Sequence, residues 1–385
     1  MRITYIINGM YNSAGRERVV ANKANFLSNK GHLVTIITTD QNKRPYYYSI
    51  EKNVRQVDLD INYFSYAGKN IVEKIFSYKK KNKLFEAKFC EFLESNPQDV
   101  VVTLEERLVP VLLKHNKKIV LIAENHFNKF ADDQIGMSAH RSSVQRIVYR
   151  MRRSFFTKFY LSKLDAYVVL TEEDKELWNN ELPNLYAIPN SIDYDEQLLA
   201  NLDSNIAIAV GRLSYQKGFE RLIEAWKMIA DRHRQWKLHI YGNGENEMAL
   251  KSQVKDNNLE DCISIYPATP SIKEKLLASS IFVLSSRFEG LPMVLLEAMS
   301  YGMSIVSYNC KTGPKDLITN NNGLLVQEGN IVELANKIEL LIENESLRKE
   351  LGKNAKISAK NYTHETIMNR WMELFINLKE NKYEQ

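Results

Sequence analysis

Apolar residues along the chain gather in runs of strand length that alternate with longer stretches of helical period. In the first half the runs fall at 3–8, 33–39, 54–59, 99–104, 119–124 and 166–171. In the second half they fall at 206–211, 237–242, 263–267, 281–286 and 304–309. Runs such as "DVVVTL" and "IFVLSS" are apolar at almost every position, where a half-exposed strand would alternate. Continuous apolar strands separated by helices predict βαβ units in parallel sheets covered on both faces. So many strands exceed one comfortable sheet of this kind. The stretch "AIPNSIDYDEQLLANLDSN" at 187–205 is polar and carries a proline, and the break falls there. The prediction is an α/β protein of two doubly wound, Rossmann-like domains, 1–188 and 189–362, facing each other across a cleft.

Doubly wound sheets bind ligands at the carboxyl ends of their strands, so the residues just after strands are the ones to read. "NGMYNSAGRERVV" places Gly15 ahead of a helix, as a plain turn or as a loop whose amides face a phosphate. "ENH" places His126 after a strand, either hydrogen-bonded as a structural residue or facing the cleft. No second histidine stands at metal-ligand spacing from it. In "GRLSYQKGFERLIEAW", Gly211 ends a strand, Arg212 and Lys217 follow, and Gly218 opens a helix. Two cations at such a junction suit a diphosphate, although a solvated basic loop has the same composition. "RFEGLPMVLLEAMSYG" is the most informative stretch. Gly290 and Leu291 form a turn, and Pro292 suits the first helical position, where partial positive charge favours a phosphate. Glu289 and Glu297 would repel that phosphate, so they are expected to accept from hydroxyls. Together these residues predict a nucleotide-sugar site: sugar on Glu289, diphosphate on Arg212, Lys217 and the helix start, ribose on Glu297.

Composition narrows the setting. Hydrophobic residues are 44% and charged residues 26% of the 385, ordinary for a globular protein. Cys90, Cys262 and Cys310 form neither a metal pattern nor a disulfide framework, which points to a reducing compartment. No apolar run is long enough for a membrane span. The net charge of +5 is mild, but between 134 and 164 no acidic residue interrupts Arg141, Arg146, Arg150, Arg152, Arg153 and Lys158 until Lys163 closes the series. Aromatic and aliphatic residues interleave with them, and "YKKKNKLFEAKF" at 78–89 repeats the pattern. Such segments suit an anionic membrane surface, or a helix whose aromatic face is core. Nothing here reads bases, so nucleic acid is not an expected partner.

With these residues in hand, the chain resembles the family 4 glycosyltransferases, retaining enzymes of the GT-B fold. "PNSID", "GRL..QKGF", "IYGNG", "RFEGLPMVLLEAMSYG" and "NNNGLLV" stand in that family's order and spacing. "TGPKDLI" is similar to the subgroup that adds hexose or N-acetylhexosamine units to lipid-linked or capsular glycans. The resemblance implies a UDP-sugar donor used as a substrate, no cofactor, and a lipid-linked or polysaccharide acceptor. It implies a catalytic set of His126, Glu289, Arg212 and Lys217. Donor contacts would come from Gly15, Gly211, Arg212, Lys217, Glu289, Gly290, Leu291, Pro292 and Glu297. It also implies that 363–385 forms a helix returning to the first domain, and that the protein works in the cytoplasm at the inner face of the plasma membrane. No metal is expected: "DLD" at 58–60 and "DYD" at 193–195 read as surface acids. Two departures stand out, Ala14 where a second glycine is common and Lys315-Asp316 after "GP". An inactive sugar-nucleotide-binding partner subunit and a UDP-sugar epimerase of the same fold are the alternatives.

Overall fold

The computed structural model describes residues 1–12, 15–63, 71–115, 118–129, 143–178, 181–319 and 321–383. Seven strands form the first sheet: β1 (Arg2–Ile7), β2 (Leu33–Thr38), β3 (Arg55–Asp58), β4 (Val100–Thr103), β5 (Val120–Glu124), β6 (Ala166–Val169) and β7 (Leu185–Ala187). Their order is β3-β2-β1-β4-β5-β6-β7. Six form the second: β8 (Ile206–Val210), β9 (Lys237–Tyr241), β10 (Ile263–Tyr266), β11 (Ile281–Leu284), β12 (Ser304–Asn309) and β13 (Leu324–Gln327), in the order β10-β9-β8-β11-β12-β13. Every pair is parallel; Thr4, for example, lies opposite Thr35 on one side and Val101 on the other. This is the expected pair of doubly wound sheets. All eleven apolar runs are strands. The pattern missed β7 and β13, three and four residues long. Too few residues are present there for a period to show, and neither strand is fully buried.

The strand order reverses between β1 and β4 and again between β8 and β11. At such a reversal the connections leave in opposite directions and open a crevice at the carboxyl ends. The described residues at these two points fall at 8–12 and 15, 104–107, 211–218 and 285–292, which carry most of the candidate residues. Six helices border the crevice, cover the first sheet or flank the basic surface: α1 (Gly15–Asn29), α2 (Ile71–Ser95), α3 (Ser143–Phe159), α4 (Phe219–Lys227), α5 (Met293–Ser300) and α6 (His364–Tyr383). Among the described residues no helix is long and apolar enough to cross a membrane.

Each sheet is covered on both faces. One face of the first sheet packs Ile3, Tyr5 and Ile7 against Val20, Ala24 and Leu27 of α1 and against Ile367, Met368, Trp371 and Phe375 of α6. The last helix therefore completes the first domain's core, although it follows the second domain in sequence. Its entry is pinned at His364, which meets Ser191 and Asp193 at 2.7 Å each. Trp371 is fully buried and touches Phe375 with ring centroids 5.6 Å apart. Replacing it by alanine removes a large ring from a close-packed site. The expected cost is about 3–5 kcal/mol, read from urea denaturation; a loss under ~1 kcal/mol would show that α6 is not integral to this core.

Candidate functional site

The second-domain half is built by two loops that interlock. After β8, Gly218 has φ +61, and a Cβ there would lie 2.4 Å from the Ser285 carbonyl oxygen. Only glycine permits this approach without strain, and it brings the 211–218 loop against the 285–292 loop. Gln216 Nε2 donates to the Phe288 carbonyl at 2.9 Å, and Ser285 Oγ donates to the Lys217 carbonyl at 2.8 Å. The Lys217 stem crosses Gly211, where an added Cβ would meet its carbons at 3.0–3.2 Å. The ammonium ends 2.6 Å from Glu289 Oε1, and Ser286 Oγ donates to the same oxygen at 2.5 Å. Arg212 is exposed, with no ion-pair partner among the described residues. Leu291 turns its side chain into the second-domain core, leaving only its backbone for the crevice. Pro292 precedes α5 as its N-cap, one place earlier than the sequence predicts, a shift within ordinary helix-end variation.

Glu297 takes a different cation. Its Oε1 lies 2.7 Å from Arg18 Nη2, on α1 of the first domain. The structure thus divides the two carboxylates: Glu289 pairs within its own domain, and Glu297 pairs across the crevice. Arg18 carried no sequence signal beyond being a second cation in the first turn of a helix.

The first-domain half lies at the ends of β1, β4 and β5. Gly15 opens α1, and among the described residues nothing lies within 4 Å of where its Cβ would stand. Crowding by the chain therefore does not require glycine there. Ala14 lies outside the described residues. Arg16 donates to the Leu104 carbonyl at 2.6 Å and to Glu105 Oε1 at 2.9 Å. A pocket of about 520 Å³ opens here, lined among others by Arg16, Glu105, Arg107, His126, Lys129 and Arg153. The His126 side chain is 7% exposed, with Nε2 3.1 Å from Glu124 Oε1 but out of line for a hydrogen bond. The same carboxylate meets Lys23 Nζ at 2.5 Å, with both side chains almost wholly buried. Burial pushes the Glu124 carboxyl up, but Lys23 and then His126 outweigh it and bring it down to about 2. Burial lowers the His126 pKa, opposed by Glu124 and reinforced by Lys23 and Arg16, which favours the neutral ring. Lys23 and Glu124 were not singled out by sequence reasoning. The available signal was Lys23 on the stripe Arg16, Val20, Lys23 and Leu27, a lysine on the core face of a helix.

The two halves touch at their candidate residues. Asn128 Nδ2 donates to the Glu289 carbonyl at 2.7 Å, and Thr312 Oγ1 donates to it as well. A Cβ on Gly290 would stand 2.7 Å from the His126 carbonyl oxygen. The Lys315-Asp316 departure also has a place: Asp316 Oδ2 accepts from the Glu173 amide of the first domain at 3.2 Å. "DLD" and "DYD" are engaged locally, Asp58 with Thr38 and Asp193 with His364. Among the described residues one group brings three residues able to ligate a metal together, His233, Glu339 and Glu343. Its charge is already met, since Arg232 Nε lies 2.8 Å from the Glu339 oxygen that His233 also contacts.

Residues 190–358 match the family model described as "Glycosyl transferases group 1". An uncharacterized glycosyltransferase of Haemophilus influenzae is 29% identical, with 96% of this chain and 98% of that protein covered. The amylovoran biosynthesis glycosyltransferase AmsD of Erwinia amylovora is 28% identical, with 97% and 99% covered. A Campylobacter jejuni α-1,4-N-acetyl-D-galactosaminyltransferase, named for a diphospho-undecaprenol-linked glycan, is 27% identical, with 98% and 99% covered. In fold the chain is similar to a TarM variant of S. aureus solved with UDP and α-GlcNAc-glycerol: TM-score 0.74 at 15% identity, covering 97% of this chain and 100% of that one. The fold is GT-B, and these comparisons support a GT-B glycosyltransferase.

The Gly290–His126 approach makes a direct test of the closed arrangement. Gly290→Ala places a methyl against a backbone carbonyl that has nowhere to go. The expected loss is about 1–3 kcal/mol, as for other overpacked contacts, measured by denaturant titration. An unchanged midpoint would show that the two loops do not pack together in solution.

Proposed function

We propose that the protein is a retaining, metal-independent glycosyltransferase of the family 4 kind. It moves a hexose or N-acetylhexosamine from a UDP-sugar to a lipid-linked or polysaccharide acceptor in surface glycan synthesis. The observation that carries this reading is the convergence of Lys217, Ser286 and Glu289 in one crevice wall, with the His126 loop packed directly against it. Lys217 and Arg212 receive the diphosphate, Lys217 leaving Glu289 free to accept from sugar hydroxyls. Arg18 occupies one oxygen of Glu297, and the other remains for a ribose hydroxyl. The backbone of Gly211, Gly290 and Leu291, with Pro292 behind them, shapes the donor wall, and Gly15 leaves room for the phosphates on the opposite side.

Retention needs either a protein nucleophile or attack from the leaving-group face. The carboxylates lining the first-domain pocket are Glu105, Glu106 and Glu124, and each is held by a cation: Glu105 by Arg16 and Arg107, Glu106 by Arg153, Glu124 by Lys23. A committed carboxylate is a poor nucleophile, which favours front-face attack. There the acceptor oxygen bonds to the anomeric carbon as the bond to the diphosphate oxygen breaks. The acceptor proton passes to the departing phosphate. The neutral His126 ring lies beside the developing positive charge, where an imidazolium would oppose it.

The acceptor side carries the membrane reading. Val144, Ile147, Val148, Met151, Phe155 and Phe159 of α3 are exposed at spacings that place them on one stripe. Part of that stripe lines a groove of about 890 Å³, which shares Glu106, Arg107 and Arg153 with the pocket of His126. Arg150, Arg152 and Lys158 on the same helix are also exposed. Phe156 packs inward, and Phe85 and Phe89 of α2 are core; Lys79, Lys80, Lys83 and Leu84 remain outside. Residues 134–142, Arg141 among them, lie outside the described residues. The proposal is that α3 meets an anionic bilayer and an acceptor's lipid, while its sugar end reaches His126.

Three measurements test this reading. UDP release with a glycan acceptor should fall at least about a hundredfold in Glu289→Ala, the scale for a positioned transition-state contact; near-normal turnover in a folded variant rejects the site. Wild-type activity should survive excess EDTA, because Arg212, Lys217 and the start of α5 already supply positive charge at the leaving group; complete loss restored by magnesium overturns the metal-free reading. In liposome co-sedimentation, binding should rise with anionic lipid and fall with salt. Equal partition onto neutral and anionic vesicles removes the electrostatic docking.

A further inference from the structure

We propose that Lys23 is a positioning residue that keeps His126 uncharged, and that Trp371 of α6 holds Lys23 in place for that task. The inference rests on the reading of His126 as the group beside the donor sugar. Lys23 is a lysine on the core face of α1, 1% exposed at its side chain. Its ammonium has two partners: Glu124 Oε1 at 2.5 Å and the Trp371 ring, with the centroid 3.9 Å away. A buried ammonium is costly unless paired, and here an anion and an aromatic face together satisfy it. Glu124 in turn lies between Lys23 and the His126 ring.

The charge count gives the role. Lys23 and Glu124 sum to zero, so the site needs no further proton. Without Lys23, a buried carboxylate would stand alone 3.1 Å from an imidazole nitrogen. An uncompensated buried charge is strongly unfavourable, and of the two groups able to take a neutralising proton, Glu124 itself and the ring, the imidazole is intrinsically the more basic. Of the other charges around the ring, Arg16 adds to the opposition to its protonation, and the rest are paired among themselves. Arg16 and Arg107 share Glu105, Arg153 is held by Glu106, and Lys129 by Glu181 at 2.5 Å. Tyr5, whose hydroxyl burial and then Glu124 keep protonated, adds no charge. Glu289 is committed to Lys217. Lys23 therefore absorbs the negative charge that would otherwise turn His126 into a cation beside an electron-poor sugar.

NMR titration of the His126 ring tests the inference without reference to turnover. In the wild-type protein the ring should remain neutral through neutral pH. In Lys23→Met its titration should move to higher pH. In Lys23→Met/Glu124→Gln, which removes both charges, it should return towards the wild-type position. A folded Lys23→Met protein whose His126 titrates as in wild type overturns the proposal. Glu124→Gln alone covers the case in which Lys23→Met does not fold: its ring should titrate at still lower pH, and no change would again overturn it. With a donor and acceptor present, the acid limb of kcat/KM in Lys23→Met should move upward with the ring, and activity should recover as the pH rises above it. The predicted NMR pattern in a wild-type protein that transfers no sugar would reject the proposed function and leave the positioning role standing.

Discussion

The Glu289 carboxylate is the point on which the crevice depends. It is nearly buried, and a buried carboxylate persists only where cations and donors surround it. Lys217 and Ser286 meet that need at one oxygen, and to do so the loop after β8 must fold against the loop after β11. Gly218 makes the fold possible by yielding its Cβ to the Ser285 carbonyl. The Glu289 backbone is fixed as firmly, since Asn128 from one domain and Thr312 from the other both donate to its carbonyl. One residue therefore ties together two strand ends and two domains.

Charges in the crevice are divided by domain and by partner. In the second domain Lys217 is held by Glu289, while Arg212 has no ion-pair partner among the described residues. In the first domain each of the three carboxylates lining the pocket is held by a cation. Arg18 and Glu297 bridge the two halves. Both side chains are partly exposed, so the pair contributes little to stability. It joins α1 of the first domain to α5 of the second.

Much of this was legible in the chain. Fully buried strands write themselves as unbroken apolar runs, so eleven of the thirteen strands could be read directly. Glu289, Lys217 and the glycines around them could be singled out because they directly follow predicted strands. What stayed hidden depends on residues distant in sequence. Lys23 and Glu124 are separated by a hundred positions and become partners only once β5 is laid beside α1's sheet. Arg18 meets Glu297 only through the relative placement of two domains. Phe85 and Phe89 belong to a basic segment that looked uniform, yet they turn inward, because helical period alone does not say which side the sheet lies on. Leu291 was legible as part of a motif but not as a core residue, since a motif does not separate backbone from side-chain use.

The return of α6 to the first domain has a consequence for biosynthesis. Domains usually fold as they leave the ribosome, the N-terminal one first. Here the sheet emerges early, but the helix that covers one of its faces is made only after the second domain. While the second domain is being synthesised, the apolar row Ile3, Tyr5 and Ile7 and the Lys23 ammonium have neither Ile367 nor Trp371 over them. The nascent first domain therefore remains open-faced for the order of ten seconds at ordinary elongation rates, and a chain released early would carry that face into the cell. The order of synthesis ties the first core to the second domain: the core beneath His126 closes only after the second domain has been made.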